Sequence, residues 1–282
     1  MSNYVVYDVF TNKAFGGNQL AVFPDATSLP QDKLQSIAAE FNFSEVTFVY
    51  PPDSLDHTAK VRIFTPTSEV DFAGHPTIGT IIALANMGYK APMILELGVG
   101  PLACTFENGM AAFTTTVPLR KIADPEPSLI ARALSLPESA INQNTHAPVQ
   151  ASLGLPFAIA ELDSRSSLAT CQPKTEIFNE GAALYPAGLD FAIFAYIREG
   201  DKITSRMFAP LDNITEDPAT GSASATLAAL LTELLDAPQN LTFLQGVDMG
   251  RPSTIMASTT QNPTSVTISG KAVQTMAGRF IL

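Results

Sequence analysis

The stretch Asp71–Ala85, DFAGHPTIGTIIALA, decides how the rest of the chain folds. From Pro76 onward it carries Ile78, Ile81, Ile82, Ala83, Leu84 and Ala85, with almost no polar face. A helix that is apolar on nearly all sides has to be buried all round. The stretch Glu216–Leu231, EDPATGSASATLAALL, makes the same demand downstream through Ala223, Ala225, Leu227, Ala228, Ala229, Leu230 and Leu231.

The material available to surround these helices is strand. YVVYDVF, EVTFVYP, AKVRIFTP, MILELGV, MAAFTTTVP, PFAIAEL, FAIFAYIRE, KITSRMFAP and SVTISGKAVQTMAGRFIL are rich in β-branched and aromatic residues and bounded by Gly, Pro, Asn or Asp. DKLQSIAAEF and PSLIARALSL read as ordinary amphipathic helices. The expected class is therefore α+β, with two similar domains, each a β-barrel wrapped around a central α-helix.

The order of features also repeats. Arg62-Ile63-Phe64-Thr65-Pro66 returns as Arg206-Met207-Phe208-Ala209-Pro210, 144 residues on, and His75-Pro76-Thr77-Ile78-Gly79 returns as Asp217-Pro218-Ala219-Thr220-Gly221, 142 residues on. This predicts a duplicated domain, joined near TVPLRKIADPEPS. The length of 282 residues suits two domains better than one core, and 46% hydrophobic residues supply both.

A net charge of -11, from 16 Lys and Arg against 27 Asp and Glu, argues against nucleic acid, which needs a basic footprint. No apolar run reaches the roughly 18 residues of a membrane span, and MSNYVVYDVF lacks a signal-peptide pattern, so a soluble cytoplasmic protein is expected. Cys104 and Cys171 lie in unrelated surroundings without metal-ligand spacing, so neither a disulfide framework nor a metal site is expected.

Function is expected at the mouths of the two apolar helices. Proline suits a first helical position, which places Asp217 and His75 at the N-caps. Asp217 is a good cap in its own right, and capping and catalysis do not exclude each other. Histidine is not a favoured cap, so the matched position of His75 opposite Asp217 points to chemistry. Two duplicated domains facing each other would aim both helix N-termini into an interdomain cleft, an anion site that requires no basic side chain. Gly74, Gly79 and Gly221 would allow close backbone approach there, and Ser222 adds a hydroxyl.

A proton-transfer site also needs an ionisable group beside the substrate. Glu45 in NFSEVTFVYP precedes a strand rich in aromatic and β-branched residues, where partial burial disfavours the charged form and suits a general acid/base. The alternative is an ordinary edge-strand glutamate. Arg251 in QGVDMGRPS reads as part of a tight turn. The matched Arg62 and Arg206 suggest pairing within the fold, and Glu69 and Asp71 read as loop carboxylates.

With DVFTNKAFGGNQLAVF, NFSEVTFV, FTPTSEVDFAGHPTIGT, RMFAPLDNITEDPATGSA, QGVDMGRPS and VTISGKAVQTMAGRFIL, the chain resembles from end to end the PhzF-like family, named for a phenazine-biosynthesis isomerase, within the diaminopimelate epimerase-like fold. The resemblance implies domains at 1–118 plus 270–282 and at 119–269, the last strand returning to the first domain. It implies Glu45 as proton shuttle, His75 and Asp217 orienting and polarising the substrate, and Gly74, Gly221 and Ser222 binding its carboxylate or ring substituents. It further implies no cofactor, no metal and a homodimer. The family's name-giving reaction isomerises trans-2,3-dihydro-3-hydroxyanthranilate by moving a proton between ring carbons. Gln19 stands where the family pattern has proline, and fold and machinery do not fix a substrate. The fold's epimerases use two thiols, and neither helix mouth here holds cysteine. An epimerase pairing Glu45 with His75 or Asp217, and a carboxylate-binding protein without turnover, are the alternatives to an isomerase.

Overall fold

The computed structural model describes residues 2–187, 191–261 and 264–281. The first part of the chain forms β1 (Ser2–Val9), β2 (Asn18–Phe23), α1 (Leu34–Phe41), β3 (Glu45–Tyr50), β4 (Ala59–Phe64), β5 (Glu69–Val70), α2 (Gly74–Asn86), β6 (Met93–Leu97), β7 (Gly100–Glu107) and β8 (Met110–Thr115). The second part forms β9 (Arg120–Ala123), α3 (Pro127–Ala133), β10 (Val149–Ser152), β11 (Pro156–Glu161), α4 (Arg165–Thr170), α5 (Thr175–Leu184), β12 (Ile193–Glu199), β13 (Lys202–Ala209), β14 (Ile214–Asp217), α6 (Gly221–Leu235), β15 (Asn240–Gln245) and β16 (Ser253–Thr260), and β17 (Ser265–Gly270) and β18 (Ala272–Phe280) close the chain. The architecture is mixed α and β, as expected. Two units divide it, Met1–Thr115 with Thr267–Leu282, and Thr116–Val266.

In the first unit β18 and β2 flank β1 in antiparallel pairings, β2 runs parallel to β3, β3 antiparallel to β4, β4 parallel to β6, and β6, β7 and β8 continue antiparallel. Helix α2 touches β1, β2 and β3 near one end of this order and β7 and β8 near the other, so the sheet curls around it. All residues from Gly74 to Leu84 are buried, Ile78, Ile81, Ile82 and Leu84 among them. Each such aliphatic side chain contributes about 1.5–3 kcal/mol by leaving water. Gly79 brings the helix onto β1 and β2, because a Cβ there would stand 2.4 Å from Leu20 Cδ2 and 2.8 Å from Val9 Cγ2.

The second unit repeats the scheme. β9, β10 and β11 are antiparallel, β11 is parallel to β12, β12 antiparallel to β13, β13 parallel to β15, and β15 antiparallel to β16. Helix α6 touches β10 and β11 from one end of the order and β16 from the other. In both units the central helix is the crossover that lets two parallel strands lie side by side.

Three expectations need correction. The central helices do not open with their prolines: α2 starts at Gly74 behind the N-cap Ala73, and α6 at Gly221 behind the N-cap Thr220. Pro76 is tolerated as the third residue of α2 because N–H groups of the first turn have no intrahelical partner. Pro218 lies before α6, following the end of β14. Helices α4 and α5 were not anticipated. In α5 the sequence signal is broken by Gly181, which is there because a Cβ would meet the Phe191 ring at 2.6 Å. The long C-terminal strand is two strands broken at Lys271, whose carbonyl accepts from the N–H groups of Phe10 and Thr11; its expected last residue, Leu282, lies outside the described residues.

The strand pairings of the two units correspond, but in a different register from the one the motifs suggest. Ile63 pairs with Val70, whereas Met207 pairs with Asp217, so 147 residues separate equivalent positions beyond these strands, against 144 within them. Thr77 Oγ donates to the Ala73 carbonyl at 2.7 Å and Ser224 Oγ to the Thr220 carbonyl at 3.0 Å, again 147 apart. Asp217 is thus the counterpart of Val70, and that of His75 is Ser222. The shared histidine- or aspartate-proline motif is a coincidence of sequence, because the paired residues Met207 and Asp217 are ten positions apart where Ile63 and Val70 are seven, with a register shift in the β13–β14 pairing.

Candidate active site

Helix α1 ends where Asn42 turns left-handed at φ 52°. Three residues later the chain enters β3 with Glu45, directly opposite Leu20 of the parallel strand β2. Because the two strands start at the same edge, Asn18 at the head of β2 and Glu45 at the head of β3 lie close to the mouth of α2. His75, the second residue of α2, completes the group: its Nδ1 stands 3.2 Å from Glu45 Oε2 and 3.5 Å from Asn18 Nδ2. Ser44 Oγ donates to Asn18 Oδ1 at 3.4 Å.

Burial sets the electrostatics here. The His75 side chain is 4% exposed and that of Glu45 16%. Desolvation drives the His75 pKa down to about 3, opposed by the Gln19 backbone, so the imidazole is neutral at physiological pH. The Glu45–His75 contact is accordingly an approach of a carboxyl group to a neutral ring and not an ion pair. Nε2 of His75 is buried and has no partner of normal hydrogen-bond geometry among the described residues.

The second unit holds another polar group. Asp217 ends β14 and is buried. Its Oδ2 accepts from Thr220 Oγ at 2.5 Å, while Gln245 Nε2 donates to the Asp217 carbonyl at 2.8 Å and to Thr220 Oγ at 2.9 Å. Gly221 and Ser222 follow as the first two residues of α6. The structure therefore gathers Glu45, His75 and Gly74 in one unit and Asp217, Gly221 and Ser222 in the other. Sequence reasoning missed Asn18, Thr220 and Gln245. For Asn18 a signal existed, a polar residue between a glycine pair and a strand; for Gln245, the last residue of an apolar strand, there was none.

Other candidates are accounted for by the fold. Arg206 forms a two-pronged pair with Glu216 at 2.8 and 2.7 Å, and Arg62 with Glu69 at 2.6 and 2.6 Å, each guanidinium lying about 5 Å over the phenylalanine two residues on. Glu69 is thus a structural partner and not a plain loop carboxylate. Arg251 belongs to a turn closed by its N–H on the Gly246 carbonyl at 3.0 Å. A cleft of about 760 Å³ in the first unit is lined by Tyr50, His57, Lys60, Arg62, Glu69 and Glu96, away from Glu45 and His75. Its ionisable side chains are paired within the fold as Lys60–Asp53, Arg62–Glu69 and His57–Glu96.

Both cysteines are buried, Cys104 on β7 and Cys171 after α4, with thiols pushed up to about 12 by desolvation. Neither lies at the N-caps Ala73 and Thr220. No helix among the described residues is long and apolar enough to cross a membrane.

Residues 7–278 match the family model described as phenazine biosynthesis-like protein. A trans-2,3-dihydro-3-hydroxyanthranilate isomerase of Pseudomonas fluorescens is 34% identical over 294 residues, covering 100% of both chains. The crystal structure of a Bacillus anthracis phenazine biosynthesis protein of the PhzF family superposes with a TM-score of 0.88 at 25% identity, covering 100% of this chain and 99% of the other. A hydroxyproline epimerase from Agrobacterium vitis shares the fold at a TM-score of 0.65 and 12% identity, over 98% of this chain and 90% of the other.

Proposed function

Because the chain belongs to the PhzF family of phenazine biosynthesis-like proteins and is an isomerase, we propose that Glu45 is the acid/base that moves a proton between two carbons of a small carboxylate resembling trans-2,3-dihydro-3-hydroxyanthranilate. The carrying observation is Glu45 Oε2 held 3.2 Å from Nδ1 of a buried, neutral His75. In this reaction one C–H bond breaks as Glu45 takes the proton, the electron pair shifts along the conjugated system, and the same carboxyl group returns the proton to a second carbon. Atoms and electrons balance within the substrate, so the reaction needs no redox partner.

His75 orients the shuttle. Asn18 Nδ2 faces Nδ1 of the ring, an arrangement that suits the tautomer with the imidazole proton on Nε2. In that tautomer Nδ1 is an acceptor, and the neighbouring Oε2 is best placed while it carries a proton, the state required of the returning acid. The buried Nε2–H is a donor suited to a substrate oxygen. Gly74 at the first position of α2, and Gly221 and Ser222 at the first positions of α6, supply N–H groups and a hydroxyl for substrate carboxylate or ring substituents. Asp217 is the second ionisable contributor to the reaction.

Deuterium wash-in from D2O into trans-2,3-dihydro-3-hydroxyanthranilate, followed by mass spectrometry, tests the assignment. The Glu45→Gln protein should lose at least the roughly hundredfold typical of a missing general acid/base. Exchange at the wild-type rate in that variant sinks the reading.

A further inference from the structure

We infer that Thr220 and Gln245 are positioning residues for Asp217, which rests on the reading of Asp217 as part of the catalytic machinery. The hydrogen-bond polarity of this group is fixed by groups that have no choice. The Thr220 N–H can only donate, and it donates to Gln245 Oε1 at 3.1 Å; the Asp217 carbonyl can only accept, and it accepts from Gln245 Nε2 at 2.8 Å. The Gln245 amide therefore has one orientation. Its second N–H donates to Thr220 Oγ at 2.9 Å, which leaves the Thr220 hydroxyl proton directed at Asp217 Oδ2. The four hydrogen bonds made by this amide and hydroxyl serve one carboxylate and the backbone beside it. Gln245, Thr220 and Asp217 are all buried, so the network is shielded from competing water.

The other half of the chain shows that the fold itself does not require these residues. At equivalent positions in the first unit stand Val70 for Asp217, Ala73 for Thr220 and, at the end of β6, Leu97 for Gln245. The backbone that follows is conserved between the halves in the same terms: a Cβ on Gly98 would meet Asp71 Cα at 2.6 Å, and one on Gly246 would meet the Pro218 carbonyl oxygen at 2.7 Å. Three apolar residues thus build one copy of this corner, and three interlocked polar residues build the other. A set that is polar together in one copy and apolar together in the other is explained by the carboxylate it holds and not by packing.

The test compares Thr220→Val, Thr220→Ser, Gln245→Leu and Asp217→Asn with the wild type, measuring kcat and KM with trans-2,3-dihydro-3-hydroxyanthranilate together with Tm. Thr220→Val removes the hydrogen bond to the carboxylate and Gln245→Leu the three that hold Thr220 and the Asp217 backbone, and each should lower kcat by roughly tenfold to a hundredfold, with KM changed less. Thr220→Ser should restore kcat to within about threefold, which recovery of packing alone does not predict. Wild-type kcat in Thr220→Val beside an impaired Asp217→Asn overturns the positioning role and leaves Asp217 standing. Wild-type kcat in Asp217→Asn removes Asp217 itself from the machinery, and the inference with it. A crystal structure of Thr220→Val with the Asp217 carboxylate unmoved overturns the inference whether or not this compound is turned over.

Discussion

Glu45 Oε2 lies 3.2 Å from Nδ1 of His75, and the ring it approaches is kept uncharged by burial, with a pKa near 3 in place of the usual 6.5. The unfolded chain therefore binds a proton on this histidine that the folded protein refuses at any pH between about 3 and 6.5. With the folded value below the unfolded one, the neutral form's stability is fully present above pH 6.5 and is lost as pH falls toward 3, by up to about 1.4 kcal/mol per pH unit. Replacing His75 with Gln should flatten the pH dependence of Tm between pH 6.5 and 4. An unchanged slope would place the acid sensitivity in other groups.

The two arginine pairs should differ in worth despite their common design. The side chains of Arg206 and Glu216 are 10% and 12% exposed, and Arg206 also donates to the carbonyls of Leu168, Ala169 and Cys171. Arg206→Ala strands a buried carboxylate and three carbonyl groups and should cost about 3–5 kcal/mol. Arg62 and Glu69 are 29% and 43% exposed, and Arg62→Ala should cost about 1 kcal/mol or less. Urea denaturation of both variants checks the contrast, and equal losses would contradict it.

Backbone constraint should separate two glycines with similar torsions. Gly246 has φ 71°, and a Cβ there would fall 2.4 Å from the Arg251 carbonyl oxygen, whereas Gly200 has φ 64° with nothing within 4 Å. Gly200→Ala bears only the left-handed penalty of about 1–2 kcal/mol. Gly246→Ala adds a clash with rigid backbone of about 1–3 kcal/mol and should melt several degrees lower. Calorimetry on the pair gives the answer directly.

Thiol chemistry should be dispensable. With both cysteines buried and their thiols near 12, the thiolate fraction at pH 8 is about one in ten thousand. Treating the native protein with iodoacetamide at pH 8 should leave turnover unchanged, and mass spectrometry should find neither Cys104 nor Cys171 labelled. Inactivation accompanied by labelling would return a thiol to the mechanism.

Much of this was legible in the residues because it depends on pattern. The apolar surfaces of the 76–85 and 219–231 segments demanded burial on all sides, and only strands were at hand to provide it. The matched Arg-x-Phe-x-Pro motifs marked the duplication, and both prove to be an arginine stacked over the phenylalanine two residues on. Glu45 and His75 stood out by residue type and neighbourhood. Less legible were α5, whose period is interrupted by a glycine fitted to Phe191, and the roles of Asn18 and Gln245, polar residues at element ends whose partners lie 25 or more residues away, and of Thr220, which Gln245 orients from that distance.

The residues in order determined the class of fold, its internal repeat and two of the side chains proposed for the chemistry, because amphipathic period and residue type act locally. Tertiary structure alone decided which residues stand in equivalent places. Strand pairing, and not the spacing of a proline motif, sets that alignment: the irregular β13–β14 pairing takes up three more residues than β4–β5, which brings Asp217 level with Val70 and makes Ser222 the counterpart of His75. It also decided the protonation state of His75, since desolvation depends on what surrounds a ring in space, and that is set by segments far away in the chain.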